Sequence, residues 1–84
     1  MFMTTRDSAK PLYLQVQESL KKDIKLKKYP VGSKLPSEKA LCEKFEVSRI
    51  TIRQALDLLE KQGMTYAVHG KGTFVKKSAI DSEL

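Results

Sequence analysis

The sequence contains little of the chemistry on which enzymes and secreted proteins depend: one cysteine, one histidine and no tryptophan in 84 residues. Cys42 alone can form neither an internal disulfide nor a cysteine metal cluster, so we interpret it as a small buried apolar residue in a reducing, cytoplasmic setting. His69 has no second metal ligand beside it and no nucleophile-elbow motif near a serine. We therefore predict no enzyme activity, no metal and no cofactor.

Long apolar runs are also missing. No segment approaches the roughly 20 apolar residues that a membrane-spanning helix needs, and residues 1–3 lack the apolar region of a signal peptide. The stretch Gly70-Lys71-Gly72 lacks the phosphate-loop pattern. Membrane insertion, secretion and nucleotide binding at such a loop are therefore not predicted.

Basic residues are abundant: 16 Lys and Arg face 10 Asp and Glu, for a net charge of +6. A chain of this length is one small domain or a fragment of a longer protein, and it has little room for an enclosed substrate cavity. Its charge suits a polyanionic partner, which charge alone cannot assign to nucleic acid or to an anionic membrane surface. We interpret the lysines of the first predicted helix as a solvated face that adds long-range attraction to such an anionic partner.

A first amphipathic helix is predicted from about residue 11 to residue 28, because apolar residues recur every four positions. Its apolar stripe consists of Leu12, Val16, Leu20 and Ile24. The whole stripe is usable in the core and leaves no spare dimer surface, so we expect the free chain to be a monomer. After a turn at residues 29–33, Lys34 and Leu35 form an extended piece that could pair at the edge of a small sheet.

Two further helices joined by a tight turn are predicted within residues 37–61, with Ser37 and Ser48 as their N-caps. The second has one apolar stripe, made of Ile52, Ala55, Leu56 and Leu59. Its N-terminal end is cationic and rich in hydroxyl groups. A helix of this kind beside a short companion is typical of a helix-turn-helix, whose second helix enters the major groove. The alternative is a pair of ordinary core helices with solvated arginines.

A β-hairpin is predicted after the helices. Gly63 ends the last helix, and Met64, Tyr66 and Val68 alternate with smaller or polar residues as in a half-buried strand. Residues 73–75 form the second strand. The order helix, strand, helix, helix, hairpin predicts an α+β, mostly α fold: a winged helix-turn-helix of three helices plus a small antiparallel β-hairpin wing.

The tip of the hairpin has its own chemistry. Gly70 and Gly72 permit unusual backbone angles and a close approach to another surface. Lys71 can reach a phosphate or a narrow minor groove, and His69 could bond a base or a phosphate. By itself this is an ordinary glycine hairpin with a solvated lysine. Beside a cationic helix, we favour contact with DNA.

Three motifs make residues 10–77 resemble the DNA-binding domain of GntR-type bacterial transcription regulators. They are Pro36-Ser37-Glu38, then Val47-Ser48-Arg49 with Thr51 and Arg53, then Gly70-Lys71-Gly72-Thr73-Phe74-Val75. The opening Pro11-Leu12-Tyr13 and Gln15 are similar to the HutC-like branch. The resemblance implies a winged-helix domain over residues 11–77 that binds a palindromic double-stranded DNA operator as a homodimer, with repression as the expected mode.

The same resemblance implies roles for particular residues. The two arginines of helix 49–61 would read bases in the major groove, and two hydroxyl residues would fix that helix on phosphates or base edges. The wing, residues 69–72, would enter the minor groove, with a threonine near the backbone. The implied DNA-binding residues are Ser48, Arg49, Thr51 and Arg53 on the helix and His69, Gly70, Lys71 and Thr73 on the wing.

The resemblance also extends beyond the domain. It implies a C-terminal effector-binding domain that takes a small molecule and is absent here. Residues 78–84 would then begin the linker to that domain, and residues 1–10 would be a flexible N-terminus.

Two positions depart from the family pattern. Lys39 occupies a site where arginine is common, and because lysine cannot make the two-pronged guanine contact, we expect it to bind phosphate. Glu46 occupies a site where glycine is common. If the turn there is left-handed, Glu46 costs on the order of 1 kcal/mol.

The leading hypothesis is therefore sequence-specific binding of double-stranded DNA. The alternative is a winged-helix protein-interaction module whose basic face docks an acidic partner. Binding to a membrane surface through the first helix is disfavoured, because its apolar face carries no Trp or Phe anchor.

Overall fold

The computed structural model describes residues 10–76, in which three helices precede a two-stranded antiparallel sheet. The elements are α1 (Leu12–Lys25), α2 (Glu38–Phe45), α3 (Arg49–Lys61), β1 (Thr65–Val68) and β2 (Gly72–Val75). The predicted winged helix-turn-helix architecture is confirmed. The linker predicted at residues 78–84 and residues 1–9 of the predicted flexible N-terminus lie outside the described residues.

Helix α1 is shorter than predicted. It ends at Lys25 because the chain turns at once: Leu26 caps it, and Lys27 takes a left-handed conformation at φ 67°. Its apolar stripe is also not wholly in the core. Val16, Leu20 and Ile24 are buried, but Leu12, at the first position of the helix, is 52% exposed.

The core forms where α1 packs on α3, with α2 and the hairpin closing its sides. Its buried side chains are Val16, Leu20, Ile24, Leu35, Leu41, Phe45, Ile52, Ala55, Leu59, Met64 and Val75. One polar pair joins the two long helices at the edge of this core. The buried Gln17 amide donates to Oε1 of Gln62 at 3.1 Å, which satisfies a buried polar group on α1.

The predicted N-caps of α2 and α3 are confirmed. Ser37 Oγ accepts the amide of Ala40 at 3.1 Å, and Ser48 Oγ accepts the amide of Thr51 at 3.3 Å. Between these helices Glu46 adopts the left-handed conformation, with φ 57° and ψ 48°. The turn therefore needs the backbone angles that glycine adopts most easily.

The predicted extended edge piece is confirmed. The amide of Leu35 donates to the Thr73 carbonyl at 2.8 Å, and the amide of Val75 donates to the Ser33 carbonyl at 2.9 Å. Lys34 forms an isolated antiparallel bridge with Phe74. The segment after α1 thus fixes β2, and with it the wing, to the helical body.

The predicted alternation along β1 is wrong. Thr65 is buried and pairs with the buried Val75, whereas Tyr66 is 40% exposed and stacks on Phe74 with ring centroids 5.7 Å apart. The reason is that Met64 belongs to the bend before the strand rather than to the strand itself. Its burial therefore does not set the inward face of β1.

Replacing Glu46 by glycine should stabilise the domain by about 1 kcal/mol, because a left-handed backbone strains a residue with a side chain far more than glycine. Urea unfolding followed by circular dichroism measures the change. Glu43→Gly is the matched control: it removes the same charge from the interior of α2, where glycine should destabilise by about 1 kcal/mol. Shifts of equal sign and size in the two variants would contradict the assignment of strain to Glu46.

Candidate nucleic-acid interface

Helix α3 has two sharply different sides. Ile52, Ala55 and Leu59 are fully buried against the body of the domain. Arg49 and Arg53 project from the opposite side, with 55% and 63% of their side-chain surfaces exposed. Because one side is fixed in the core, the other must face outward along the whole helix.

Positive charge is concentrated at the N-terminal end of α3. Further along, Lys61 pairs with Asp57 at 3.2 Å, one helical turn earlier, so the C-terminal half is locally balanced. The first turns carry Arg49 and Arg53, whose two charges outnumber the one carboxylate beside them, that of Glu38, and the helix dipole adds partial positive charge at the same end. This end of α3 is therefore the part of the helix best suited to an anionic partner.

The two hydroxyl residues predicted at this end lie together. Ser48 Oγ and Thr51 Oγ1 are 3.0 Å apart, and the Ser48 hydroxyl also caps the helix. Ser48 is exposed, whereas Thr51 is half-buried. Their first role is to fix the start of α3, and Ser48 is the better placed of the two to meet an external group.

Glu38 links the arginines to the preceding helix. Nε of Arg53 donates to Glu38 Oε1 at 3.1 Å, and Nε of Arg49 lies 3.8 Å from the same oxygen. Both contacts use Nε, so the Nη groups of each guanidinium remain as a donor fork. The sequence identifies Glu38 only as part of the motif Pro36-Ser37-Glu38, and no local pattern signals its contact with an arginine 15 residues away.

The wing tip is an exposed turn. The amide of Lys71 donates to the Val68 carbonyl at 2.9 Å and closes it. Gly70 has φ 79° and Gly72 has φ 129°, both positive as the predicted glycine turn requires. His69, Gly70 and Lys71 are exposed, and Thr73 on the following strand is half-buried.

A second lysine lies at the wing. A Cβ on residue 72 would stand only 2.7 Å from Cε of Lys34, so the Lys34 side chain crosses the strand where Gly72 leaves room for it. The extended edge piece was predicted, but the reach of Lys34 to the wing was not. Lys39, in contrast, is exposed on the first turn of α2, next to Glu38.

Other predicted features lie apart from this surface. Cys42 is half-buried and packs against the core, so it is less buried than predicted. Among residues 10–76, no three His, Cys, Asp or Glu side chains gather in a way that could hold a metal ion. Within the same residues, no helix has both the length and the apolar character that crossing a bilayer requires.

The chain matches the family described as bacterial regulatory proteins, gntR family, over residues 12–75. The chain belongs to the GntR family. The uncharacterized HTH-type transcriptional regulator YurK of Bacillus subtilis (strain 168) is 43% identical over 82 residues, covering 98% of this chain and 34% of YurK. The HTH-type transcriptional repressor NagR of the same strain is 40% identical over 79 residues, covering 94% of this chain and 32% of NagR.

Solved structures agree with this membership. AraR(DBD) in complex with operator ORE1 has a TM-score of 0.78 and 40% identity, covering 87% of this GntR chain and 89% of that one. A GntR family transcriptional regulator from Listeria monocytogenes has a TM-score of 0.82 and 32% identity, covering 93% of this chain and 68% of that one. The chain spans about a third of the length of the curated relatives it matches.

Removing the Glu38 carboxylate should increase the mobility of the Arg53 side chain and, to a smaller extent, that of Arg49. In Glu38→Ala we expect the Arg53 Nε–H group to lose order, with its NMR order parameter falling below about 0.6, and Arg49 to change less because its contact is longer. Stability should change by no more than about 1 kcal/mol, since the pair is exposed. Glu43→Ala, on the same helix, is the control, and an unchanged Arg53 order parameter in Glu38→Ala would show that Glu38 does not hold it.

Proposed function

We propose that this chain is the sequence-specific, double-stranded DNA-binding domain of a GntR-type transcriptional repressor, with helix 49–61 in the major groove and wing 69–72 in the minor groove. One observation carries the proposal: Arg49 and Arg53 are exposed together on the outer side of a helix whose other side is buried. The relative named as a repressor, NagR, and the AraR domain in complex with an operator support it.

The guanidinium groups of Arg49 and Arg53 would recognise the bases. A guanidinium can donate two parallel hydrogen bonds to O6 and N7 of guanine, and both atoms lie in the major groove. The Nη groups of Arg49 and Arg53 are the donors for that contact, while Glu38 limits the rotation of both side chains. Ser48 would bind a phosphate or a base edge beside them, and Thr51 would support it through their hydroxyl contact.

The wing and α2 would supply the remaining contacts with DNA. At the wing, Lys71 and His69 would meet the minor groove, where Gly70 lets the backbone approach closely. Thr73 would contact the sugar-phosphate backbone. Lys39, on the first turn of α2, would bind a phosphate as a point charge, because it lacks the fork of arginine. These contacts position the domain, and the arginines supply most of the sequence preference.

The proposal includes the larger protein. Residues 11–77 would be the DNA-binding domain, and residues 78–84 would begin the linker to the next domain. A C-terminal domain of the HutC-like type would bind a small-molecule effector, and two copies would occupy a palindromic operator. The relatives' greater length supports a further domain. The larger protein would be a cytoplasmic regulator without enzyme activity, and it would need no cofactor.

Fluorescence anisotropy on labelled duplexes tests this function. An operator is first selected from a random duplex library with the 84-residue chain, and its affinity is compared with that of a scrambled duplex across a salt series. We expect a preference for the selected duplex that persists as salt rises. Equal affinities that fall together with salt would leave only a basic surface, and the protein-interaction module would then be the better account.

Two single substitutions separate base reading from backbone contact. Arg49→Ala should lose about 1–3 kcal/mol on the selected duplex and much less on the scrambled one. Lys71→Ala should weaken binding to both duplexes similarly and reduce the slope of log affinity against log salt by about 1. Equal losses for Arg49→Ala on the two duplexes, or an unchanged slope for Lys71→Ala, would contradict the assigned roles.

A further inference from the structure

One apolar side chain stands among the polar groups at the start of α3. Ile50 is 69% exposed, more than any other large hydrophobic residue within residues 10–76. It is the second residue of the helix, directly after Arg49. Single exposed apolar residues are common on proteins, so its exposure acquires meaning only from its position.

The Ile50 side chain is not part of the buried core. Ile52, two residues further along, is fully buried. Two helical steps rotate a side chain by about 200°, so Ile50 points away from the core that holds Ile52. On the outer side, Arg53 and Gln54 follow it at the three- and four-residue spacings that place side chains next to one another. Ile50 thus shares a surface with an arginine assigned to base reading.

The chemistry around Ile50 limits what could cover it. The other exposed apolar residues of the described chain lie elsewhere, on α1, in the following turn and on the wing: Leu12, Leu26, Val31 and Tyr66. No apolar patch therefore surrounds Ile50 that would suit a protein partner. Its neighbours on the helix surface, Arg53 and Gln54, are hydrogen-bond donors, which suit a polar, phosphate-rich partner instead.

The major groove offers one apolar group to such a side chain, the C5-methyl group of thymine. We infer that Ile50 contacts a thymine methyl group and is a specificity-determining residue next to Arg49 and Arg53. This inference rests on the proposed function, since it requires α3 to lie in the major groove. It adds a thymine to the guanine preference that the arginines provide.

Deoxyuridine substitution tests the contact, because deoxyuridine pairs like thymidine but lacks the methyl group. Each thymine of the selected operator is replaced singly, and affinities are measured for the unmodified chain, Ile50→Ala and Val31→Ala. Val31 is an exposed β-branched residue in the turn after α1, so its variant controls for loss of surface apolar area. Circular dichroism verifies that all three proteins are folded.

We expect one thymine in each half-site to matter. Its replacement should weaken binding of the unmodified chain and of Val31→Ala about fourfold, equivalent to about 0.8 kcal/mol for one buried methyl-sized group. Ile50→Ala should bind the original operator more weakly by a similar factor and be insensitive to deoxyuridine at that position.

The outcomes that overturn the inference differ from those that overturn the function. A flat deoxyuridine scan, with the preference over scrambled DNA intact, would remove the thymine contact and leave the proposed function standing. Sensitivity that persists in Ile50→Ala would assign the methyl contact to another residue. Loss of all preference for the selected duplex would instead refute the proposed function itself.

Discussion

Burial of one side of α3 against α1 is the constraint on which the rest of the structure depends. Ile52, Ala55 and Leu59 are fully buried there, and fully burying a large aliphatic side chain stabilises a fold by about 1.5–3 kcal/mol. This packing fixes the rotation of α3, so its arginine side must face outward. The exit of α3 then leads directly into the wing, which the segment after α1 holds in place.

The contacts of Glu38 orient the side chains of Arg49 and Arg53 only weakly. An exposed ion pair contributes about 0–1 kcal/mol, whereas a good two-pronged arginine–guanine contact discriminates by about 1–3 kcal/mol. Glu38 can therefore limit the conformations of Arg49 and Arg53 in the free domain and still yield to DNA. Because both contacts use Nε, the Nη donors that the proposed guanine contacts require are not consumed.

Features set by local spacing could be predicted from the sequence. The three helices, the caps at Ser37 and Ser48 and the glycine turn of the wing all follow from residue patterns. Which residues of β1 face inward could not be predicted, because the point where α3 ends decides that Met64 precedes the strand. Neither could the contact of Arg53 with Glu38, 15 residues away, nor the path of Lys34 over the wing, since both arise from tertiary packing.

Methylation interference with dimethyl sulfate tests the central claim most directly, because the reagent modifies guanine N7 in the major groove and adenine N3 in the minor groove. With the selected operator, we expect methylated guanines at the centre of each half-site to block binding through Arg49 and Arg53. Methylated adenines where the wing inserts should also interfere. Interference at neither atom, with only phosphate modification affecting binding, would contradict the placement of α3 and the wing in the two grooves.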